Sequence, residues 1–128
     1  LDHDRALQRL MDAALAQNVE IVVGGPYSSG ILAGGAHFEY QKASPAIVNK
    51  VEQIKRIAAA HGVDIKAAAL QFSLANPAVA AVIPGSSRPD RIAEDVAALS
   101  AVIPAAFWQA MREAKLVSER APLPITGA

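Results

Sequence analysis

Two short stretches of this 128-residue sequence carry the residue types that hold an anion. The first is Gly24-Gly25-Pro26-Tyr27-Ser28-Ser29-Gly30. Glycines let backbone N–H groups approach a phosphate closely, and Ser28 and Ser29 add hydroxyl donors. The second is Ile83-Pro84-Gly85-Ser86-Ser87-Arg88-Pro89-Asp90-Arg91. It leads into a helix start, where first-turn N–H groups and the helix dipole favour negative charge. Arg88 and Arg91 add cations at the same end, an unfavourable place for them unless something negative sits nearby. Each stretch also has a plainer reading. The first can be a glycine-rich turn without a ligand, because short glycine motifs are weakly specific. In the second, Asp90, Glu94 and Asp95 can satisfy the arginines, since Arg91 to Glu94 or Asp95 is a common helix-pair spacing.

The surrounding elements decide where these stretches sit. Leu7, Leu10, Met11, Ala14 and Leu15 recur at helical spacing, with Asp2 or Asp4 as cap and Gln17-Asn18 as the end. Val19-Glu20-Ile21-Val22-Val23 is β-branched, too short for a helix and followed by glycine, which predicts a buried parallel strand. Gly24 to Gly35 reads as a loop with five glycines. Ser44 caps a helix with Pro45 at its first position, and Ile47, Val51, Ile54, Ile57 and Ala58 form its apolar stripe up to His61-Gly62. Asp64 caps another from Ile65 to about Ala75, stopped by Asn76-Pro77. Val79 to Ile83 is a second short apolar strand. Ser87-Arg88-Pro89-Asp90 has the form of a capping box, with Ser87 as cap and Asp90 reaching back, ahead of a helix to about Leu99. A last helix begins near Pro104 and carries Phe107, Met111, Ala114 and Leu116, with Phe107 and Trp108 as packing residues. Ser118 to Ala128 reads as extended coil.

The order helix, strand, helices, strand, helices is the α/β pattern with parallel strands. Both anion-friendly stretches then lie at strand carboxyl ends, where α/β folds bind ligands. Two parallel strands cannot bury both faces of a sheet. Either the chain associates through its sheet edges, or it is a piece of a larger α/β domain, and the second is favoured. Phosphate-friendly loops after two successive strands match the loops after strands seven and eight of (β/α)8 barrels.

Composition narrows the function classes. Lys and Arg number 12, Asp and Glu 12, so the net charge is zero, which argues against nucleic acid and anionic membrane as partners. No apolar run approaches the ~18 residues of a membrane span. Leu1-Asp2-His3-Asp4 lacks the basic start and apolar stretch of a signal peptide. With no cysteine, disulfide and thiol chemistry are excluded and a reducing cytoplasm is compatible. Three scattered histidines leave too few ligands for a structural zinc.

The run VIPGSSRPDRIAEDVAAL, Val82 to Leu99, closely resembles the cofactor signature after the last barrel strand of aldo/keto reductases. VVGGPYSSGILAGG, Val22 to Gly35, resembles the segment after their seventh strand, in the form of the L-fucose dehydrogenase and D-threo-aldose 1-dehydrogenase group. ALQFSLANPAVAAVIPG, Ala69 to Gly85, resembles the helix and strand between. The resemblance implies an α/β fold that is the C-terminal part of a (β/α)8 TIM barrel, its last two parallel strands with their helices, all 128 residues lying in one such domain. It implies NADP or NAD as cofactor and a small-molecule carbonyl or sugar as substrate. Backbone groups of Gly25, Tyr27, Ser29 and Gly30 would line the pyrophosphate. Ser86 and Ser87, beside Gly85, would bind the adenosine ribose or its 2′-phosphate. Arg91 would pack on the adenine or pair with that phosphate, and Glu94 and Asp95 would meet the adenine edge and ribose.

Two positions depart from the family pattern. Gly85 stands where many members place a lysine for the 2′-phosphate, which leaves both cofactors open with Arg88 and Arg91 as the remaining cations. Gly24 stands where many place an aromatic that stacks on the nicotinamide. The family's catalytic tyrosine, lysine, aspartate and histidine belong to the first half of the barrel, so no residue here is assigned a catalytic role. Tyr27 belongs to the cofactor loop, His61 to a helix end, and His37 and Tyr40 to a loop that could border the pocket. The tail around Pro122 to Ile125 could edge it as well. The alternatives are a non-catalytic nicotinamide-nucleotide-binding module and a half-barrel fragment that associates with copies of itself as a homo-oligomer.

Overall fold

The computed structural model describes residues 1–125; the last three residues of the expected coil tail lie outside it. The chain opens with a π-helical turn, Ala6–Leu10, that runs into helix α1 (Met11–Ala16). No side chain caps this helical stretch, in contrast to the expected role of Asp2 or Asp4. Asp2 is instead drawn to Arg5, 2.8 Å away, which also reaches Glu39 at 2.7 Å. The end of α1 is a Schellman wrap-back: Asn18 is left-handed (φ 54°), and Val19 N–H returns to Ala14 C=O at 2.8 Å. Met11 and Ala14 are buried, whereas Leu10 and Leu15 are exposed, so the apolar stripe is only half covered.

Strand β1 (Ile21–Gly24) pairs in parallel with β4 (Val79–Ile83), in the register Val22↔Ala81, Val23↔Val82 and Gly24↔Ile83. The parallel pairing agrees with the sequence pattern; full burial does not. Val22 is 55% and Ile83 60% exposed, because helices cover one face of this two-stranded sheet and nothing among the described residues covers the other. Between these strands lies a hairpin absent from the sequence reading, β2 (His37–Phe38) and β3 (Gln41–Lys42). Its two turn residues, Glu39 and Tyr40, both have positive φ (49° and 63°), the backbone that a two-residue hairpin demands and that usually selects Asn or Gly. Glu and Tyr hide that signal.

Helices α2 (Pro45–Ala60) and α3 (Ile65–Leu74) begin as their sequences dictate. Ser44 accepts from Ile47 N–H at 3.4 Å, and Asp64 from Lys66 N–H at 2.9 Å. Gly62, with φ 63°, ends α2 in a second Schellman turn closed by Val63 N–H to Ala58 C=O at 2.8 Å. Helix α4 (Asp90–Leu99) follows β4, and α5 (Ala105–Glu113) completes the described helices.

Helix α3 is the hub. Its Ala68 joins Ile54, Ala58, Phe107, Trp108 and Met111 in the main core, and its Ala67 and Leu70 join Tyr27 and Ala98 in a second cluster. Phe107 and Trp108 are essentially inaccessible and meet edge to face, centroids 4.9 Å apart; burying such side chains contributes about 1.5–3 kcal/mol each. Alanine on both sides lets α3 approach α4 closely. Gln71 then donates to the carbonyls of Ala98 (2.9 Å) and Ala101 (2.8 Å), satisfying acceptors at and beyond the end of α4. Thus α3 fixes where α4, and the loop before it, can lie.

Candidate functional site

Because Gly24 pairs with Ile83, the two strand-end loops leave the sheet side by side. The first doubles back tightly. Gly25, Ser28, Ser29 and Gly30 all have positive φ (63°, 51°, 60° and 91°). Ser28 N–H bonds Gly25 C=O at 2.9 Å, and Gly30 and Leu32 N–H both bond Tyr27 C=O, at 3.1 and 3.2 Å. Ile31–Ala33 then forms one 3-10 turn. Ser29 Oγ accepts from Tyr40 N–H at 3.0 Å, which secures the loop to the hairpin. A Cβ added at Gly24, Gly25 or Gly30 would meet nothing within 4 Å, so open space fronts this backbone.

The second loop is organised by contacts between near neighbours. Ser86 Oγ accepts from Arg88 N–H at 3.1 Å and donates to Arg88 C=O at 2.9 Å. Ser87 does not cap α4, and Asp90 does not reach back to it; the capping box expected from the sequence is not formed. Arg88 and Asp90 pair instead, with the Arg88 Nε at 3.3 Å. That hydrogen bond holds the Asp90 carboxyl below the usual carboxylate range. The reason the box fails is this competition: Asp90 has a guanidinium two residues away that outbids a neutral N–H. Arg91 makes no ion pair among the described residues. It stands in the first turn of α4, where an anion is favoured.

Glu94 and Asp95 do not turn to the arginines. Lys66 takes both, at 3.3 Å from Glu94 Oε2 and 3.5 Å from Asp95 Oδ1. Asp95 is buried, 7% exposed, and accepts a hydrogen bond from the hydroxyl of Tyr27, 68 residues earlier. Burial first, and then this bond, push the Tyr27 hydroxyl well above the usual tyrosine value. The structure therefore brings together Tyr27 and Asp95, one from each sequence motif, and adds Lys66, which the sequence reading missed. The signal was present: Lys66 is a cation in a first helical turn, the criterion that singles out Arg88 and Arg91.

The remaining polar residues fall outside this arrangement. Tyr40 is 92% exposed at the hairpin tip. His61 Nδ1 lies 2.9 Å from Ile57 C=O at the end of α2, as a helix-end histidine should. A cavity of about 240 Å³ lies beside the first loop, between the π-helical turn, α3 and the tail; Gly25, Ser28, Phe72, Ser73 and Pro122 help line it, and residues of the second loop do not. Among the described residues, no three potential metal-binding side chains cluster, and no helix is long and apolar enough to cross a membrane.

Comparison with known proteins places this geometry in context. The Aldo/keto reductase family model matches residues 2–115. Pyridoxal 4-dehydrogenase from Microbacterium luteolum is 30% identical over 115 residues, 87% of this chain and 34% of that protein. D-threo-aldose 1-dehydrogenase from a Pseudomonas species is 31% identical over 110 residues, 81% of this chain and 33% of that protein. The chain spans about a third of the length of these curated relatives.

Proposed function

The chain belongs to the aldo/keto reductase family, and from that premise we propose that it is the C-terminal part of a (β/α)8-barrel oxidoreductase, its two strand-end loops holding NADP or NAD. The observation that carries this reading is the Gly24↔Ile83 pairing. It sets both loops at the carboxyl end of a parallel pair, with open space before Gly25, Gly30 and Gly85 and, at the helix start, an Arg91 that makes no ion pair among the described residues. Those groups suit an extended anion such as a dinucleotide. The Gly25, Tyr27 and Ser29 N–H groups, which the loop's own turn bonds do not use, would face the pyrophosphate, with Gly30, whose N–H bonds Tyr27 C=O, lining it by close approach of its backbone. Gly85, Ser86 and Ser87 would face the adenosine ribose, and Arg91 the adenine or a 2′-phosphate, with Glu94 exposed beside them.

A nicotinamide held by these residues would supply hydride to a carbonyl carbon, or take it from C1 of an aldose while the C1 hydroxyl loses its proton. The names of the two relatives, dehydrogenases of pyridoxal and of a D-threo-aldose, support a small carbonyl or sugar substrate. Neither tyrosine is given an acid–base role: Tyr27 is committed to Asp95, and Tyr40 stands out in solvent.

The test is fluorescence titration of the full-length protein with NADP+ and NAD+. Binding of at least one is expected, and Arg91→Ala should weaken NADP+ about tenfold, the effect of losing one charge-assisted contact. Unchanged NADP+ affinity removes Arg91 from the site. Failure to bind either nucleotide overturns the reading.

A further inference from the structure

Three elements converge on Asp95. Its carboxylate accepts the Tyr27 hydroxyl from the first loop and lies 3.5 Å from Lys66 Nζ of α3, while its own backbone belongs to α4. Lys66 Nζ also stands 5.3 Å from the centre of the Tyr27 ring, within range of a cation–π contact. The ring itself packs with Ala67, Leu70 and Ala98, so apolar burial and polar pairing act on the same side chain.

The first loop needs such a hold. Ser28 and Ser29 are consecutive residues with positive φ, a backbone disfavoured for any residue with a Cβ. Strained backbone persists only when its surroundings over-determine it. On one side the Tyr40 N–H to Ser29 bond does this; on the other, the Tyr27 side chain makes the loop's buried polar contact with the protein, beside the apolar packing of Ile31 and Leu32. Asp95 meanwhile has little surface left to offer a ligand, its side chain being 10% exposed against 58% for Glu94.

We propose that Tyr27, Asp95 and Lys66 form a buried latch holding the first loop against α3 and α4, and that Tyr27 and Asp95 are positioning residues of the nucleotide site whose side chains do not touch the nucleotide. The positioning role rests on the nucleotide-site reading above; the latch itself does not. It revises the role that family resemblance implies for Asp95, from adenine contact to loop anchor, and leaves the outward-facing Glu94 for the adenosine.

A double-mutant cycle in the full-length protein tests this, using Tyr27→Phe, Asp95→Asn and the double variant. Thermal midpoint and affinity for NAD+ and NADP+ are the two readouts. The latch predicts that each single change lowers the midpoint and weakens nucleotide binding about three- to tenfold, the scale of one hydrogen bond. The double variant should be no worse than the poorer single one. Additive effects on affinity would mean that Asp95 meets the nucleotide independently of Tyr27, and would overturn the positioning role. If the parent protein binds neither nucleotide, the site reading fails and the thermal cycle alone decides: coupling keeps the latch, additivity rejects it. Should Asp95→Asn not fold, proton NMR of the parent serves in its place. A slowly exchanging hydroxyl signal that vanishes in Tyr27→Phe supports the latch, and its absence overturns it.

Discussion

The two strand-end loops are neighbours built on opposite plans. The first, Gly24 to Gly35, adds to its own local turn bonds two contacts distant in sequence: Tyr27 to Asp95 across 68 residues and Tyr40 to Ser29 across 11. The second, Pro84 to Pro89, is held by contacts two residues apart, Ser86 with Arg88 and Arg88 with Asp90, all exposed. The buried Tyr27–Asp95 contact helps to fix a strained backbone, because low-dielectric surroundings strengthen its hydrogen bond. Exposed local pairs exchange readily with water and contribute little. One loop is set by the tertiary fold; the other keeps its donors and one cation facing solvent.

The comparison breaks most visibly at Asp95. Asp95→Ala leaves a buried phenol and Lys66 without their shared acceptor, and stability should fall by about 2–3 kcal/mol. Chemical denaturation measures this, and an unchanged midpoint would remove the distinction between the loops. A smaller effect is expected in alkali. The Tyr27 hydroxyl is raised by burial and then by Asp95, with Asp64 and Glu94 adding negative charge nearby. Since its folded value lies above its unfolded one, its stabilisation is complete below about pH 10 and is lost as pH rises toward the folded value. Tyr27→Phe should therefore flatten the alkaline limb of a stability–pH profile; an identical limb would show that another group causes it. Ser29→Ala, which frees Tyr40 N–H at an exposed position, should cost about 0.5–1 kcal/mol in the same denaturation experiment. Least of all, Arg88→Ala should leave the thermal midpoint where it was, at low and high salt alike. A clear drop there would mean that the second loop is structurally braced as well.

Local chemistry was legible wherever one residue type decides one backbone feature. Ser44 and Asp64 announce their helices by capping them, Gly62 ends α2, and Val79 to Ile83 forms β4 with the bounds its apolar run predicts. Competition made other features illegible. Asp90 satisfies the spacing of a capping box, yet the Arg88 guanidinium claims its carboxylate. Glu39 and Tyr40 adopt a hairpin turn that their residue types disfavour, and the contacts of Glu39 with Arg5 and of Tyr40 N–H with Ser29 hold it there.

By itself, then, the sequence determined the order of the helices and of the two parallel strands, the parallel α/β class, the two glycine- and serine-bearing loops, and the family, but not the hairpin between β1 and α2. These depend on periodicity, caps and motifs within some 20 residues. Only the tertiary structure decided which partner each charged group takes. Lys66, not an arginine, meets Glu94 and Asp95, and Tyr27 turns inward to Asp95. The physical reason is that pairing strength depends on burial and distance in space. Both were set when α3 packed its alanine-rich faces between its neighbours.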